Sequence, residues 1–305
     1  MIKQFTHFLF YFSLVIGLIV SIPAHAKKKK DTEVEKEKTV MEKASIGLKW
    51  REIGPAFASG RIADFVVNPN NHSEYYVAVA SGHIWKTTNN GTTWKPIFDH
   101  YGAYSIGCLK MDPNNTNVIW VGTGENNHQR ALGYGNGVYK SEDGGSSWTN
   151  MGLKESRQIG MIAIDPNNSD VVYVAAEGSA WGPGGERGLY KTIDGGANWE
   201  KVLDISENAG INNVVLDPID SQIIYATSEQ RRRTGFGKIG GGPESGLHLS
   251  KDGGKTWKKI TKGLPSVHMG GMGIAISPLD RNIIYLIIEA QDKQGGFFRS
   301  TNRGA

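Results

Sequence analysis

One eight-residue pattern decides the fold, and the chain repeats it as TTNNGTTW (87–94), SEDGGSSW (141–148), TIDGGANW (192–199) and SKDGGKTW (250–257). A fifth copy begins as STNRGA at Ser300. The tryptophans that end the copies lie 54, 51 and 58 residues apart. This spacing has room for about four short strands and their turns in each repeat. Each copy therefore predicts one small antiparallel sheet.

A second motif marks another turn in every repeat. A proline follows an Asn, Asp or Ser at five places: Asn68-Pro69, Asp112-Pro113, Asp165-Pro166, Asp217-Pro218 and Ser277-Pro278. Proline fixes φ, and the preceding side chain caps the backbone of the turn. We name the strands of each repeat A to D, so that the proline turn joins A to B and the eight-residue box joins C to D.

Repeated four-stranded antiparallel sheets predict an all-β fold, a β-propeller with about five blades present. Strand A should be the innermost strand, because the sixth residue before each proline is mostly small. These residues are Ala63, Gly107, Gly160, Asn212 and Met272. The segment KWREIG (49–54) has the pattern of a strand D without its own A, B and C.

Two arrangements remain open for the ring. Either segment 49–54 completes a five-bladed ring, or the chain is the amino-terminal piece of a larger propeller. We favour the second arrangement, because the sequence stops at Ala305, inside the fifth box and before its expected tryptophan.

The amino terminus predicts export. Lys3 precedes an apolar run at 8–20, and the small residues Ala24 and Ala26 follow it, as in a cleaved signal peptide. The run is shorter than the roughly 20 residues of a membrane-spanning helix. We therefore expect a signal peptide at 1–26, a charged flexible linker at 27–48 and the propeller at 49–305, with the mature protein periplasmic or extracellular.

Composition excludes several classes of function. The 34 basic and 30 acidic residues are interspersed and leave a net charge of +4, which argues against nucleic acid as a partner. The single cysteine and the scattered histidines give no metal-ligand spacing, so we expect no metal and no cofactor. No second apolar run is long enough to span a membrane.

The box pattern Ser-x-Asp-x-Gly-x-x-Trp resembles the Asp-box, or bacterial neuraminidase repeat, of sialidases, xyloglucan-cleaving glycoside hydrolases, a photosystem II assembly factor and the sortilin VPS10 propeller. The stretches at 50–69, 105–115 and 120–130 resemble secreted bacterial proteins of the sortilin-like or glycosyl-hydrolase-like kind. The resemblance implies a propeller that binds polypeptide or glycan. Glycoside hydrolysis of a polysaccharide and a role as an extracytoplasmic assembly or scaffold factor are the alternatives.

We interpret the boxes as structural. Their carboxylates should accept backbone N–H groups in the turn, while their tryptophans pack between sheets. The residues concerned are Asp143, Trp148, Asp194, Trp199, Asp252 and Trp257. The first box has Asn89 in place of the aspartate, so the carboxylate charge is dispensable there.

Function is expected at the opposite end of the sheets, where the B–C and D–A loops are long and varied. Four glutamates recur just after strand B, and arginines stand close to them in the sequence. Trp181 and Tyr134 are possible stacking surfaces for a sugar or a peptide. The candidate ligand-binding residues are Arg61, Asp64, Glu125, Arg130, Glu177, Trp181, Arg187, Glu229, Arg231, Glu244 and Glu289. The bland alternative is that these charges pair with each other and fix the loops. No catalytic residue is assigned.

Overall fold

The computed structural model describes Lys43, residues 60–127 and residues 130–305. The predicted signal peptide, segment 49–54 and the linker apart from Lys43 lie outside the described residues. Within the described ranges, no helix has the length and apolar character needed to cross a bilayer.

Five antiparallel sheets make up the described chain, and each uses strands that follow one another in sequence. Sheet one contains β1 (Ile62–Val67), β2 (Tyr75–Val79), β3 (Ile84–Thr87) and β4 (Lys95–Pro96). Sheet two contains β5 (Ile106–Met111), β6 (Ile119–Thr123), β7 (Val138–Ser141) and β8 (Thr149–Gly152). Sheet three contains β9 (Ile159–Asp165), β10 (Asn168–Ala176), β11 (Gly188–Thr192) and β12 (Glu200–Leu203).

The last two sheets depart from the regular pattern. Sheet four contains β13 (Ala209–Leu216), β14 (Ile224–Arg233), β15 (Lys238–Gly240), β16 (Gly246–Ser250) and β17 (Lys258–Ile260). Strand β15 pairs only with the end of β14, so part of the expected B–C loop is a hairpin. Sheet five contains β18 (Met269–Ile276), β19 (Ile284–Ala290) and β20 (Gly296–Ser300). Short 3₁₀ helices occur at Lys154–Ser156 and Gln291–Lys293.

The predicted strand order A-B-C-D is confirmed in sheets one to three, and sheet five has A, B and C as expected. Strand A of each sheet packs against strand A of the next. Small residues allow this approach: a Cβ on Gly107 would lie 2.3 Å from the carbonyl oxygen of Ile159, and one on Gly160 would lie 2.4 Å from that of Asn212. The all-β, propeller-like fold is therefore confirmed.

The core lies between consecutive sheets and forms four hydrophobic clusters. We call the face that a sheet turns toward the next sheet its trailing face, and the face toward the previous sheet its leading face. Between sheets one and two, trailing residues such as Tyr76 and Phe98 pack on leading residues such as Leu109 and Val121. Full burial of one such side chain stabilises the fold by about 1.5–3 kcal/mol.

The two outermost faces of the described sheets are not covered. Phe65 on the leading face of sheet one is 63% exposed, and Phe297 on the trailing face of sheet five is 69% exposed. The five sheets therefore do not close directly on one another.

Candidate functional site

The box turns occupy one end of the sheets, and each box carboxylate forms its hydrogen bonds with groups of its own turn. Asp143 Oδ1 accepts the Ser147 N–H at 2.8 Å and the Ser141 hydroxyl at 2.8 Å, and Oδ2 accepts the Ser147 hydroxyl at 2.6 Å. These bonds lower the pKa of Asp143 to about 2. Asp194 and Asp252 bind in the same way. These contacts are those of a structural turn.

The box tryptophans join neighbouring sheets. The indole N–H of Trp148 donates to the carbonyl of Ile97 in sheet one at 2.9 Å. Trp199 donates in the same way to the carbonyl of Met151 in sheet two at 2.7 Å. Trp257 differs, because its indole donates within its own turn. Two of the three boxes that contain an aspartate thus bridge from one sheet to the sheet before it.

At the opposite end, three of the four recurring glutamates, Glu125, Glu177 and Glu229, are buried. Glu125 is fully buried, and its Oε1 accepts Arg61 Nε at 2.6 Å. Asn127 also donates to this oxygen. Arg61 comes from strand A of sheet one, and about half of its side chain is exposed. The pair therefore ties the start of sheet one to sheet two.

Glu177 forms the most buried ion pair of the described chain with Arg231. Arg231 also donates to Gln158 Oε1 at 3.2 Å and to the carbonyl of Asn126 at 3.0 Å. Burial raises the pKa of Glu177 to about 8; the charge of Arg231 opposes this rise and that of Glu229 adds to it. This cluster joins loops of sheets two, three and four.

Arg187 is buried and holds the B–C loop of sheet three in place. Its Nη1 donates to the carbonyl of Glu177 at 2.8 Å, and its Nη2 donates to the carbonyls of Ser179 and Gly182, each at 2.7 Å. Its Nε donates to the carbonyl of Gly184 at 3.1 Å. Arg187 therefore shapes the loop from within and is not presented to a ligand.

Three other candidate carboxylates bind neighbouring protein groups. Glu229 is buried, and its Oε2 accepts the side-chain amide of Asn212 at 3.1 Å. Glu244 accepts the Ser206 hydroxyl at 2.7 Å. Asp64 accepts the N–H of Leu109 at 2.9 Å, and burial raises its pKa. The pairing alternative therefore describes these groups well.

The candidates that the structure leaves accessible are fewer. Arg130 and Glu289 are exposed, and Trp181 keeps 38% of its surface accessible. Glu289 lines a cavity of about 490 Å³. His268, just before β18, and Ile239, in β15, also line this cavity. In the described part of the chain, no group of three or more His, Cys, Asp or Glu side chains is arranged to hold a metal ion.

Two further exposed aromatic residues lie at this end of the sheets; the sequence analysis named Tyr134 as a possible stacking surface but missed Tyr104. Tyr104, in the D–A loop before sheet two, is 53% exposed and meets the ring of His83 edge to face at 6.1 Å. Tyr134, in the B–C loop of sheet two, is 48% exposed and has the guanidinium of Arg157 5.9 Å from its ring centre.

These residues share one end of the sheets with Trp181. Gly133 beside Tyr134 packs against Ser105 beside Tyr104, because a Cβ on Gly133 would lie 2.5 Å from the Ser105 hydroxyl. The next loops are joined by the N–H of Glu155, which donates to the Glu186 carboxylate at 2.7 Å. Exposed aromatic side chains thus occur on connected loops of sheets one to three. The sequence signal that could have identified Tyr104 is a tyrosine within a predicted D–A loop.

Comparison with known proteins identifies a family and a fold. A sequence model of the Sortilin-Vps10 family, described as "Sortilin, neurotensin receptor 3", matches residues 136–303. A xyloglucanase of Acetivibrio thermocellus is 25% identical over 244 residues, which cover 71% of this chain and 27% of the relative. A xyloglucanase of Hypocrea jecorina is 23% identical over 224 residues, 68% of this chain and 23% of the relative. The chain thus spans about a quarter of the length of these curated relatives.

Two solved structures show the same fold. A GH74 enzyme of Niastella koreensis superposes with a TM-score of 0.58 at 24% identity, over 79% of this chain and 36% of that one. A GH74 xyloglucanase from Xanthomonas campestris gives a TM-score of 0.52 at 16% identity, over 80% of this chain and 44% of that one. Both likenesses support the propeller architecture.

Proposed function

This chain belongs to the Sortilin-Vps10 family, and from that premise we propose that it is an exported propeller protein that binds a polysaccharide at the loop end of its sheets without cleaving it. The observation that carries the proposal is the set of exposed aromatic side chains on connected loops, Tyr104, Tyr134 and Trp181. Aromatic rings offer rigid, flat surfaces with a polar tip, which suit the apolar faces and hydroxyl edges of sugar rings.

The xyloglucanases among the relatives make xyloglucan the first glycan to test. The half-exposed side chain of Arg61 and the guanidinium of Arg157 beside Tyr134 add donors for sugar hydroxyl groups near the aromatic surfaces. The arginines that lie deeper, Arg187 and Arg231, stabilise the loops that carry these side chains. The exposed side chains of the loops therefore bind the glycan, while the buried ion pairs beneath them stabilise the loop conformations.

The buried carboxylates argue against hydrolysis by the described residues. A glycoside hydrolase places two carboxyl groups roughly 5 to 9.5 Å apart on either side of an accessible glycosidic bond. Glu125 is bound to Arg61 and Glu177 to Arg231, and both glutamates are buried. Neither is presented to a sugar.

One observation favours hydrolysis as a second candidate function. Glu177 has a pKa raised to about 8 and lies near the charge of Glu229, which is the environment of a general acid beside a second carboxylate. If loop movement exposed Glu177, it would present a protonated carboxyl group of the kind that serves as a general acid.

Binding and cleavage are separated by titration calorimetry with xyloglucan oligosaccharides, alongside an assay for released reducing ends. We expect binding without release, and a Kd at least about tenfold weaker in Trp181→Ala and Tyr134→Ala, which is about 1.4 kcal/mol. The matched control is Ile193→Ala, an equally simple truncation of a residue 70% exposed in a box turn.

Three results would overturn or redirect the proposal. Unchanged affinity in both aromatic variants would exclude the loop face as the glycan site. Reducing-end release that disappears in Glu177→Gln would establish the hydrolase. Absence of glycan binding together with tight binding of a polypeptide at the same aromatic residues would replace glycan by polypeptide.

Export is part of the proposal and has its own test. The predicted signal peptide at 1–26 implies that the exported protein begins at Lys27 and carries the linker 27–48 before the propeller. Amino-terminal sequencing of protein recovered outside the cytoplasm should read Lys-Lys-Lys-Lys-Asp. A sequence that starts at Met1 would contradict cleavage.

A further inference from the structure

The β14–β15 hairpin carries only positive charge. It belongs to sheet four, which packs against a described sheet on each side. Its residues 231–240, RRRTGFGKIG, include four basic residues and no acidic residue. The strands pair Arg233 with Lys238, so two cationic side chains stand directly opposite each other on one side of the hairpin. Like charges at directly opposite positions destabilise a strand pair.

The side chain of Arg233 is not used by the fold. Its backbone N–H donates to the carbonyl of Ala180 at 2.7 Å, but its guanidinium donates no hydrogen bond to any described residue. No carboxylate of the described residues lies within 4.0 Å of Arg233 or Lys238. Arg233 is partly exposed and Lys238 is exposed. Two cationic groups on the same side of the hairpin are therefore available to a ligand.

The positive charge continues beneath the hairpin. Arg232 Nη2 donates to Asn208 Oδ1 at 2.8 Å, whereas its Nη1 is buried and has no acceptor among the described residues. Burial, together with the charges of Arg232 and Arg231, lowers the pKa of Arg187 to about 10. Three arginines of neighbouring loops thus lie close enough to repel one another.

The carboxylates of this region only partly balance the arginines. Glu177 is the one described carboxylate that forms an ion pair with Arg187, Arg231 or Arg232, and its partner is Arg231. Glu207 also favours the charged form of Arg187, but from beyond 4.0 Å. Buried charges in proteins are normally paired with opposite charges. The excess of positive charge therefore favours an anionic ligand at this place.

An exposed aromatic residue stands beside the same cluster. Trp181, which is 38% exposed, follows Ala180, whose carbonyl accepts the N–H of Arg233. It precedes Gly182, where a Cβ would lie 4.0 Å from Arg232 Nη1. Both chain neighbours of Trp181 thus lie against the strand that carries the arginines. A flat apolar surface and cationic groups are close together.

We propose that the glycan bound at the loop end is an acidic polysaccharide, with a carboxylate of one of its uronic acid units bound between Arg233 and Lys238 and a sugar ring packed on Trp181. The inference rests on the proposed function, because it assigns a chemical class to the glycan of the same loop face. The parallel N–H donors of a guanidinium match the two oxygens of a carboxylate. A neutral glycan such as xyloglucan would use the aromatic contacts without this ion pair.

Oligogalacturonides test the charge of the ligand directly. Methyl esterification removes the negative charge of their carboxylates and keeps the sugar rings. Titration calorimetry at low ionic strength compares the free acid with its methyl ester. We expect the free acid to bind the wild-type chain at least about tenfold more tightly, which is about 1.4 kcal/mol. This preference should shrink at high NaCl concentration, because salt screens exposed charges.

Variants of the hairpin assign the preference to its residues. Arg233→Gln and Lys238→Gln should each reduce the preference for the acid, and the double variant should bind acid and ester within about twofold of each other. Arg233→Lys keeps the charge but loses the paired donors, so it should retain part of the preference. The matched control is Lys255→Gln, which removes one charge from an exposed lysine in the box turn of the same sheet and should behave as wild type. Circular dichroism checks that each variant is folded.

Four results would overturn the inference. Equal affinity for acid and ester, with binding that Trp181→Ala weakens, would exclude the acidic glycan and leave the proposed function in place. A preference for the acid that persists in the double variant would place the anion site elsewhere. An arginine-dependent preference for dextran sulfate over dextran, without one for the oligogalacturonide acid, would replace the carboxylate by a sulfate ester. Absence of binding to every glycan, xyloglucan included, would overturn the proposed function and this inference together.

Discussion

The box tryptophans should be the largest single contributors to the contact between sheets, and Trp148 offers the clearest test. Trp148 is 7% exposed, meets Phe98 edge to face at 5.4 Å and donates its indole N–H to the carbonyl of Ile97. Truncation of a buried tryptophan to alanine costs about 3–5 kcal/mol, because the lost burial adds to the cavity left behind. The unpaired carbonyl of Ile97 places Trp148→Ala in the upper half of that range.

The first box supplies a matched control at the same position of the motif. Trp94 is 41% exposed and its ring contacts Tyr75 at 5.4 Å, and none of the described sheets precedes it to cover it. Trp94→Ala should therefore cost only about 1 kcal/mol. Urea unfolding followed by circular dichroism measures both changes.

A third variant protects the test against a chain that does not fold. Trp148→Phe keeps an aromatic ring in the interface but removes the indole N–H, and should lose about 1–2 kcal/mol. Equal losses in Trp148→Ala and Trp94→Ala would refute the reasoning. They would show that the box tryptophan acts within its own turn rather than between sheets.

Three further predictions concern the inner strands and two buried titratable groups. Gly107→Ala should prevent folding or cost more than about 2 kcal/mol, because its Cβ would lie 2.3 Å from a backbone oxygen. The control is Gly296→Ala, whose Cβ would meet nothing within 4 Å and which should be neutral or slightly stabilising in thermal melts. Glu177, with a pKa raised from 4.5 to about 8, keeps its proton in the folded state where the unfolded chain has lost it. The free energy of unfolding should therefore fall as pH rises across that range, and Glu177→Gln should flatten this dependence in urea titrations. Burial lowers the pKa of His248 from 6.5 to about 4, so stability should fall as pH drops through that window, and a slope that persists in His248→Asn would contradict the assignment.

The fold was predictable because the sequence signal repeats. Four boxes at similar spacing fix the C–D turn, and the prolines fix the A–B turn, so each repeat has only one way to alternate its strands. The small residues of strand A predicted close packing around the inner strands, and the structure places a neighbouring backbone within 2.3 Å of the Cβ position of Gly107. The β14–β15 hairpin was not predicted, because no repeated motif marks it.

The site was less predictable, because its contacts join distant repeats. Glu177 and Glu229 lie four residues after the aromatic residue of strand B, and Glu125 lies five residues after it, so the sequence predicted that they share one end of the sheets. It did not reveal that Glu125 would meet Arg61, or Glu177 would meet Arg231, since each arginine comes from a different sheet. Accessibility depends on which neighbouring loop covers a residue, and the local sequence does not contain that information.

The two ends of the sheets have different roles, because their side chains form hydrogen bonds with different partners. In the boxes, a carboxylate such as Asp143 binds groups within four residues of itself, so the residues of the turn fix its shape in each of these repeats. At the other end, Glu177 and Arg231 bind groups from loops of three sheets. A change in the conformation of one loop therefore alters the contacts of the next loop. Hydrogen bonds within one turn give a rigid frame. Hydrogen bonds between loops of different sheets give a surface whose shape depends on the sequences of those loops. A ligand site is therefore expected among the shared contacts, above the buried ion pairs, where Tyr134 and Trp181 remain exposed.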